Sequence, residues 1–467
     1  LLRAARRLVQ DHATELRELA AWCDQQGLTA EAETTRTWLK PRDPNKMYVA
    51  ALPARIGPPP LPEGARPEVV EWHERFRRLR RRQASALFDL ARRAAAGHSA
   101  SLALDLALMT AREDPDHEGM RRLLGYQQYQ GRWCTPFAVR KLRSGQVWHE
   151  RFGWLPKSHV RRYEEGQRYH MSRWISAEEY ARLHAEIGSG WDIETEHYTI
   201  RTNHSIEAGV KLGTELERLY RIWQQLFVRY YATQSQVIAL FDGRARGRRT
   251  NPKRFDVVFF RDREDYNRSL RAAMPNIGMS IGVYVQSTGR AYFFAGEGYE
   301  RRTLYHEATH QLFHESRPVA RDVASEANFW IVEGIAMFME SLREENGCYT
   351  LGGFDDDRMV AAQYRLLHDA FHVPLGEFCS YGMPQMHADK RIATLYSEAA
   401  GLAHFLVFYE EGRYRDALIA YLSAVYSGRD DPSTLSRLTG VPYATLDRQY
   451  REFMKSGLQE PSEAGGH

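Results

Sequence analysis

His306 and His310 stand four residues apart in the segment Arg302-Thr303-Leu304-Tyr305-His306-Glu307-Ala308-Thr309-His310-Gln311-Leu312-Phe313. On a helix such residues lie one turn apart on one face, so the two imidazoles can hold one cation between them. Glu307 is rotated about 100° from His306 and can reach a water on that cation without ligating it. Downstream, Trp330-Ile331-Val332-Glu333-Gly334-Ile335-Ala336-Met337-Phe338-Met339-Glu340 offers Glu333 as a third ligand. Catalytic zinc takes three protein ligands and keeps one position open. The expected chemistry is hydrolysis with one Zn2+: the ion lowers the pKa of a water, and Glu307 takes the proton as that water attacks a carbonyl.

The surroundings support this assignment over a surface helix with incidental histidines. Leu304, Tyr305, Ala308, Leu312 and Phe313 predict a largely buried first helix, where unpaired His and Glu are costly. Trp330, Ile331, Ile335, Phe338 and Met339 do the same around Glu333. Gly334 and Ala336 are expected to let this second helix pack closely on the first. Glu340, two turns after Glu333, is a candidate to orient a ligating histidine from behind.

The elements that must position these groups begin near Trp191. His197–Thr202 alternates like a strand, and Ile206–Tyr230 reads as a long amphipathic helix. Phe255–Phe260 is a second strand, with a helix near Asp262–Met274. Gly282–Val285 and Ala291–Ala295 form a hairpin around Ser287-Thr288-Gly289. Ala291–Ala295 is a candidate edge for an extended peptide, a buried strand being the alternative. From Glu333 to about Met454 the pattern is mainly helical.

The expected fold class is α+β. Residues 1–123 read as a helical, tetratricopeptide-like region or an ordinary bundle, with a Pro-rich connector at 53–67. Residues 124–190 read as a small β-rich linker module of short aromatic pieces punctuated by glycine. Six of the ten tryptophans fall between Trp133 and Trp223, as core or, less simply, as a carbohydrate-binding surface. Residues 191–454 make the hydrolase domain, a mixed sheet plus a helical C-terminal lobe, and 455–467 a mobile tail.

Charge is near balance, with 64 Lys and Arg against 60 Asp and Glu. The run Arg75–Arg82 lacks interleaved stacking aromatics and reads as a solvated helix face, so no nucleic-acid partner is expected. Cys23, Cys134, Cys348 and Cys379 are far apart, and only Cys348–Cys379 is a candidate bridge. No run of about 18 apolar residues predicts a transmembrane segment. The chain opens Leu-Leu-Arg, as a trimmed chain does, which leaves room for a signal peptide upstream and an exported, periplasmic or extracellular location.

The two motifs resemble those of the gluzincin metallopeptidases, including the aminopeptidase N type. The order of later segments is similar to a bacterial group of gluzincin-like proteins best represented in planctomycetes. The resemblance implies His306, His310 and Glu333 as zinc ligands and Glu307 as general base. It also implies a tyrosine as oxyanion donor. Tyr396 stands at a similar distance from Glu333, and His404 and Tyr381 are the alternatives. Two features depart from the aminopeptidase N type. The interval from His310 to Glu333 is longer. The Gly-x-Met-Glu-Asn segment that captures a substrate amino terminus is absent, and Gly278-Met279-Ser280-Ile281-Gly282 lacks its carboxylate. An endopeptidase-like cleft acting on peptides or proteins is therefore expected, with the N-terminal helices as a surface for a protein partner. The alternatives are a non-catalytic scaffold and a zinc hydrolase of another amide, such as a cell-wall peptide.

Overall fold

Five strands form the sheet that carries the site, in the order Val283–Val285, Arg290–Phe294, Phe255–Phe260, Tyr198–Thr202, Trp191–Glu194. The three central strands are mutually parallel and the two outer ones antiparallel to their neighbours. Parallel neighbours require crossovers. The helix Ile206–Leu226 supplies the first, capped by the Ser205 hydroxyl, and Arg263–Leu270 lies on the second, capped by the Asp262 carboxylate. Gly209 and Gly213 bring the first helix against the sheet: a Cβ on either would lie 2.8 Å from Ile193 or Thr195.

This architecture comes from a computed structural model that describes residues 1–57, 61, 63–244 and 253–457. Pro58, Pro59, Pro60 and Pro62 of the expected connector, and residues 458–467 of the expected tail, lie outside the described residues. The last helix, Tyr443–Ser456, runs through Lys455. The fold is α+β.

Two units divide the chain. One holds the segment from Leu1 to Pro136 together with the helix Gln234–Phe241 and the hairpin beginning at Arg343; the other holds the rest. In the first unit, helices Leu2–Gln25 and Thr29–Leu39 form one hairpin and Pro67–Ala96 and Ala100–Glu113 another. Pro67 occupies the first helical position, where its missing N–H costs nothing. The helices differ in length, with 24, 11, 30 and 14 residues, so the two pairs share no common repeat size. Along the basic run, Arg80 stacks on Trp38 and pairs with Glu113, while Arg77, Arg78 and Arg81 face solvent.

A hairpin breaks the helical stretch expected after Glu333. Arg343–Glu345 and Cys348–Gly352 pair across Asn346-Gly347, both at positive φ, and Lys46–Ala50 joins them as a third strand. Asn-Gly is a strong short-range hairpin signal, so this element was open to sequence reading. All four cysteines are free, Cys348 and Cys379 included.

Residues 124–190 contain an internal repeat rather than a purely β module. Three hairpins (Gln127–Tyr129 with Arg132–Cys134, Gln146–His149 with Gly153–Pro156, Gln167–His170 with Arg173–Ser176) are each followed by a short helix. Gly125, Gly145 and Gly166, all at positive φ, precede them. Trp133, Trp154 and Trp174 recur in the second strands. An aromatic ring of each helix meets the next tryptophan edge-on: Phe137 with Trp154 at 6.0 Å, Tyr163 with Trp174 at 6.2 Å, Tyr180 with Trp191 at 6.1 Å. The series thus ends on the first residue of the sheet. Trp133, Trp191 and Trp223 are buried, as a core reading expects, whereas Trp148 is 40% exposed.

Among the described residues one helix, Ile392–Gly412, has the length and hydropathy of a membrane span. Of its apolar window 67% is buried inside the protein, as in a core helix.

Candidate metal centre

The helix Arg301–Glu315 carries His306, Glu307 and His310, and the helix Phe329–Glu340 carries Glu333 and Glu340. Every residue of the second helix is buried. Its Gly334 does not face the first helix as expected. A Cβ there would lie 2.7 Å from the Ala399 carbonyl oxygen, so Gly334 admits the Ile392–Gly412 helix instead. That contact brings the helix bearing Tyr396 against the helix bearing Glu333.

Three ligand side chains converge. His306 Nε2 lies 3.1 Å from His310 Nε2 and 3.3 Å from Glu333 Oε2, and His310 Nε2 lies 3.7 Å from Glu333 Oε1. Tetrahedral zinc, with bonds of about 2.1 Å, separates its ligand atoms by about 3.4 Å. The three separations bracket that value, so the donor set fits the ion in both chemistry and spacing. Among the described residues it is the one group of its kind found.

The electrostatics of the group follow from burial. Burial pulls the His306 imidazolium down, but the Glu333 and Glu340 carboxylates outweigh it and hold the ring charged. Burial also lowers His310, which Glu333 only partly offsets, so this ring is neutral. Glu333 is pushed up by burial and pulled further down by the two histidines, which keeps it ionised. One proton therefore serves three lone-pair atoms, a duty that a divalent cation at the same point performs more completely.

Glu307 stands apart from the ligand set. Its Oε2 accepts from the Tyr284 backbone N–H at 2.8 Å. Burial raises its carboxyl to about 7 against the pull of His306. Glu340 occupies the place expected of an orienting group: its Oε1 accepts from His306 Nδ1 at 2.8 Å. Tyr396 is half-buried. Burial first, then the Glu333 and Glu307 charges, raise its phenol, which places it within their field.

Two candidates are engaged with other partners. His404 lies eight residues along the helix from Tyr396, about 12 Å by helical rise. Its Nδ1 donates to the Ala400 carbonyl and its ring packs on Phe338. The Tyr381 hydroxyl donates to Glu377 at 2.6 Å. The expected peptide edge also moves. Arg290–Phe294 is an inner strand, and the edge beside the site is Val283–Val285. That edge is three residues long, and the amide of its central residue is committed to Glu307, so little remains for backbone pairing.

Sequence reading missed three neighbours. Tyr284 contributes through its backbone, which no residue pattern reports. Arg358 grips Glu340 with two hydrogen bonds from beyond an intervening hairpin. His387, exposed, packs on Phe329 and is close enough to Glu333 for its charge to be felt there.

A family model described as a protein of unknown function (DUF1570) matches residues 301–429. The match begins with the helix bearing His306 and His310 and takes in Glu333, Glu340, Arg358 and Tyr396. No curated protein matches the chain.

Proposed function

We propose that the chain is a zinc-dependent metallopeptidase cleaving within peptides or proteins. The observation that carries this reading is the meeting of His306 Nε2, His310 Nε2 and the Glu333 carboxylate at one point. Zinc bound there supplies a Lewis acid and lowers the pKa of an adjacent water.

The remaining chemistry falls to the chain's own side chains. Glu307, poised near neutrality, takes a proton from water and returns it to the leaving amine. The Tyr284 amide holds one of its oxygens and leaves the other for that exchange. Tyr396 keeps its phenolic proton across the working range and can donate it to a carbonyl oxygen as negative charge develops. The gluzincin resemblance supports the same roles. The missing amine-capture motif favours internal cleavage over removal of terminal residues, and the helical N-terminal region is the proposed surface for a protein partner.

The test is Glu307→Gln assayed on an unstructured protein substrate. Turnover is expected to fall about 10²–10⁴-fold with bound zinc unchanged. A zinc-loaded parent that cleaves no peptide contradicts the peptidase reading.

A further inference from the structure

Arg358 is the second residue of the helix Asp357–Leu367 and has no place in the chemistry above. Its guanidinium grips Glu340 with Nε at 2.9 Å from Oε2 and Nη2 at 3.0 Å from Oε1. Glu340 in turn accepts from His306 Nδ1. The Arg358 amide donates to Asp356 Oδ1 at 3.0 Å, and the other Asp356 oxygen is paired with Arg302. Arg302 lies on the metal helix, one turn before His306. The contacts therefore close a circuit: His306, Glu340, Arg358, Asp356, Arg302, and back through the helix to His306.

A histidine that binds a metal through Nε2 must keep its proton on Nδ1, and the partner of that proton sets both tautomer and ring direction. A single carboxylate on a flexible side chain is a loose partner. The Arg358 fork removes that looseness, since two parallel hydrogen bonds fix the carboxylate plane as one cannot. The Asp356–Arg302 contact then ties the helix bearing Arg358 to the helix bearing His306, so the two ends of the relay move together. Arg358 Nε and Nη2 point at a carboxylate that is almost wholly buried, while the side chain itself is 43% exposed. Such a residue is not there to fill the core.

We propose that Arg358 is a positioning residue for the metal. Through Glu340 it holds His306 in the tautomer and orientation that zinc requires, with Asp356 and Arg302 anchoring it. The inference rests on the metal-site reading of His306, His310 and Glu333.

The experiment measures zinc affinity by chelator competition on the full chain, together with the visible spectrum of the cobalt-loaded protein. Arg358→Met, Arg358→Lys and a control, Arg365→Met, are compared with the parent. Arg365 lies on the same helix in an exposed pair with Asp369, away from Glu340. Arg358→Met is expected to weaken zinc about 10–100-fold and to alter the cobalt spectrum. Arg358→Lys, which keeps the charge and loses the fork, is expected to fall between Met and parent. Arg365→Met is expected to match the parent in both readouts. A folded Arg358→Met protein that binds zinc within twofold of the parent overturns the proposal. So does an Arg365→Met protein as weak as Arg358→Met. Should Arg358→Met not fold, Glu340→Gln keeps an acceptor for His306 but gives up the charge that Arg358 holds, and unchanged zinc affinity there also overturns it. A parent that binds no zinc refutes the metal reading itself; a parent that binds zinc, with variants that bind equally well, refutes only the role of Arg358.

Discussion

His306 and His372 each stand between two carboxylates, and the difference between them separates the proposed metal centre from a salt bridge. His372 Nδ1 lies 2.6 Å from Glu398 and Nε2 lies 3.2 Å from Asp447. Asp447 also accepts from the Leu375 amide at 3.0 Å. Each ring nitrogen has its own acceptor, so the imidazolium is complete. Around His306, Nδ1 is likewise satisfied by Glu340, but Nε2 meets a second imidazole nitrogen as well as Glu333. That extra nitrogen is the deciding feature, because two imidazoles and a carboxylate cannot all be satisfied by one proton. Counting donors against acceptors thus distinguishes two clusters of similar composition.

The largest expected effect breaks the first cluster. His310→Ala should weaken zinc by more than the roughly 10–100-fold that an outer-shell change costs. Thermal unfolding of the metal-free protein should shift far less than in His372→Ala. Calorimetry with and without zinc reads both; a metal-free His310→Ala protein as destabilised as His372→Ala would erase the distinction.

His372→Ala should do the reverse. It strands Glu398 and Asp447, and breaking a buried pair costs about 3–5 kcal/mol. Urea unfolding reads that loss, while zinc per folded chain should stay at the parent's value. Loss of zinc from the folded variant would mean that the clusters are coupled.

The helix Ile392–Gly412 serves both, with Tyr396 in the field of Glu333 and Glu307, and Glu398, two residues on, paired with His372. Tyr396→Phe sharpens the contrast from within that helix. Turnover should fall about 10²–10³-fold with little change in KM or in stability. Steady-state kinetics on a peptide substrate decides this, and unchanged turnover would move the oxyanion role to another donor.

The smallest effect is one of pH. Burial lowers the His372 imidazolium, but Asp447 and Glu398 more than compensate and raise it from 6.5 to about 9. A raised histidine gives stability that is full below its unfolded value and is lost as pH climbs through its folded value. The stability gap between parent and His372→Gln should therefore narrow from pH 6.5 to above 9. A gap that widens over that range contradicts the charged, doubly bonded state.

What the sequence made legible follows the range of the contacts. His306, Glu307 and His310 are arranged by one helix, so their spacing announces them, while Glu333 and Glu340 show as carboxylates in an apolar helical run. Four of the five sheet strands, from Tyr198 to Phe294, were legible in their β-branched and aromatic runs, whereas the short strand Trp191–Glu194 was not read. Arg358 and the Tyr284 amide reach the site only through tertiary packing, which no local pattern encodes. The partner of Gly334 was misread for the same reason, since a small residue announces close packing without naming the neighbour. The repeat in residues 124–190 was hidden differently. Its units share a leading glycine, a glutamine opening the first strand, an aromatic two residues on and a second-strand tryptophan, but the middle hairpin has a longer turn than the outer two, which breaks the spacing.

The central claim is that His306, His310 and Glu333 hold a metal, and its most direct test is metal content. The protein is equilibrated with zinc at neutral pH, freed of excess, and its metal measured by elemental analysis beside a His306→Ala, His310→Ala double variant. One zinc per parent chain and none on the folded double variant is the predicted result. A parent that holds no zinc, or a double variant that holds as much as the parent, contradicts the account.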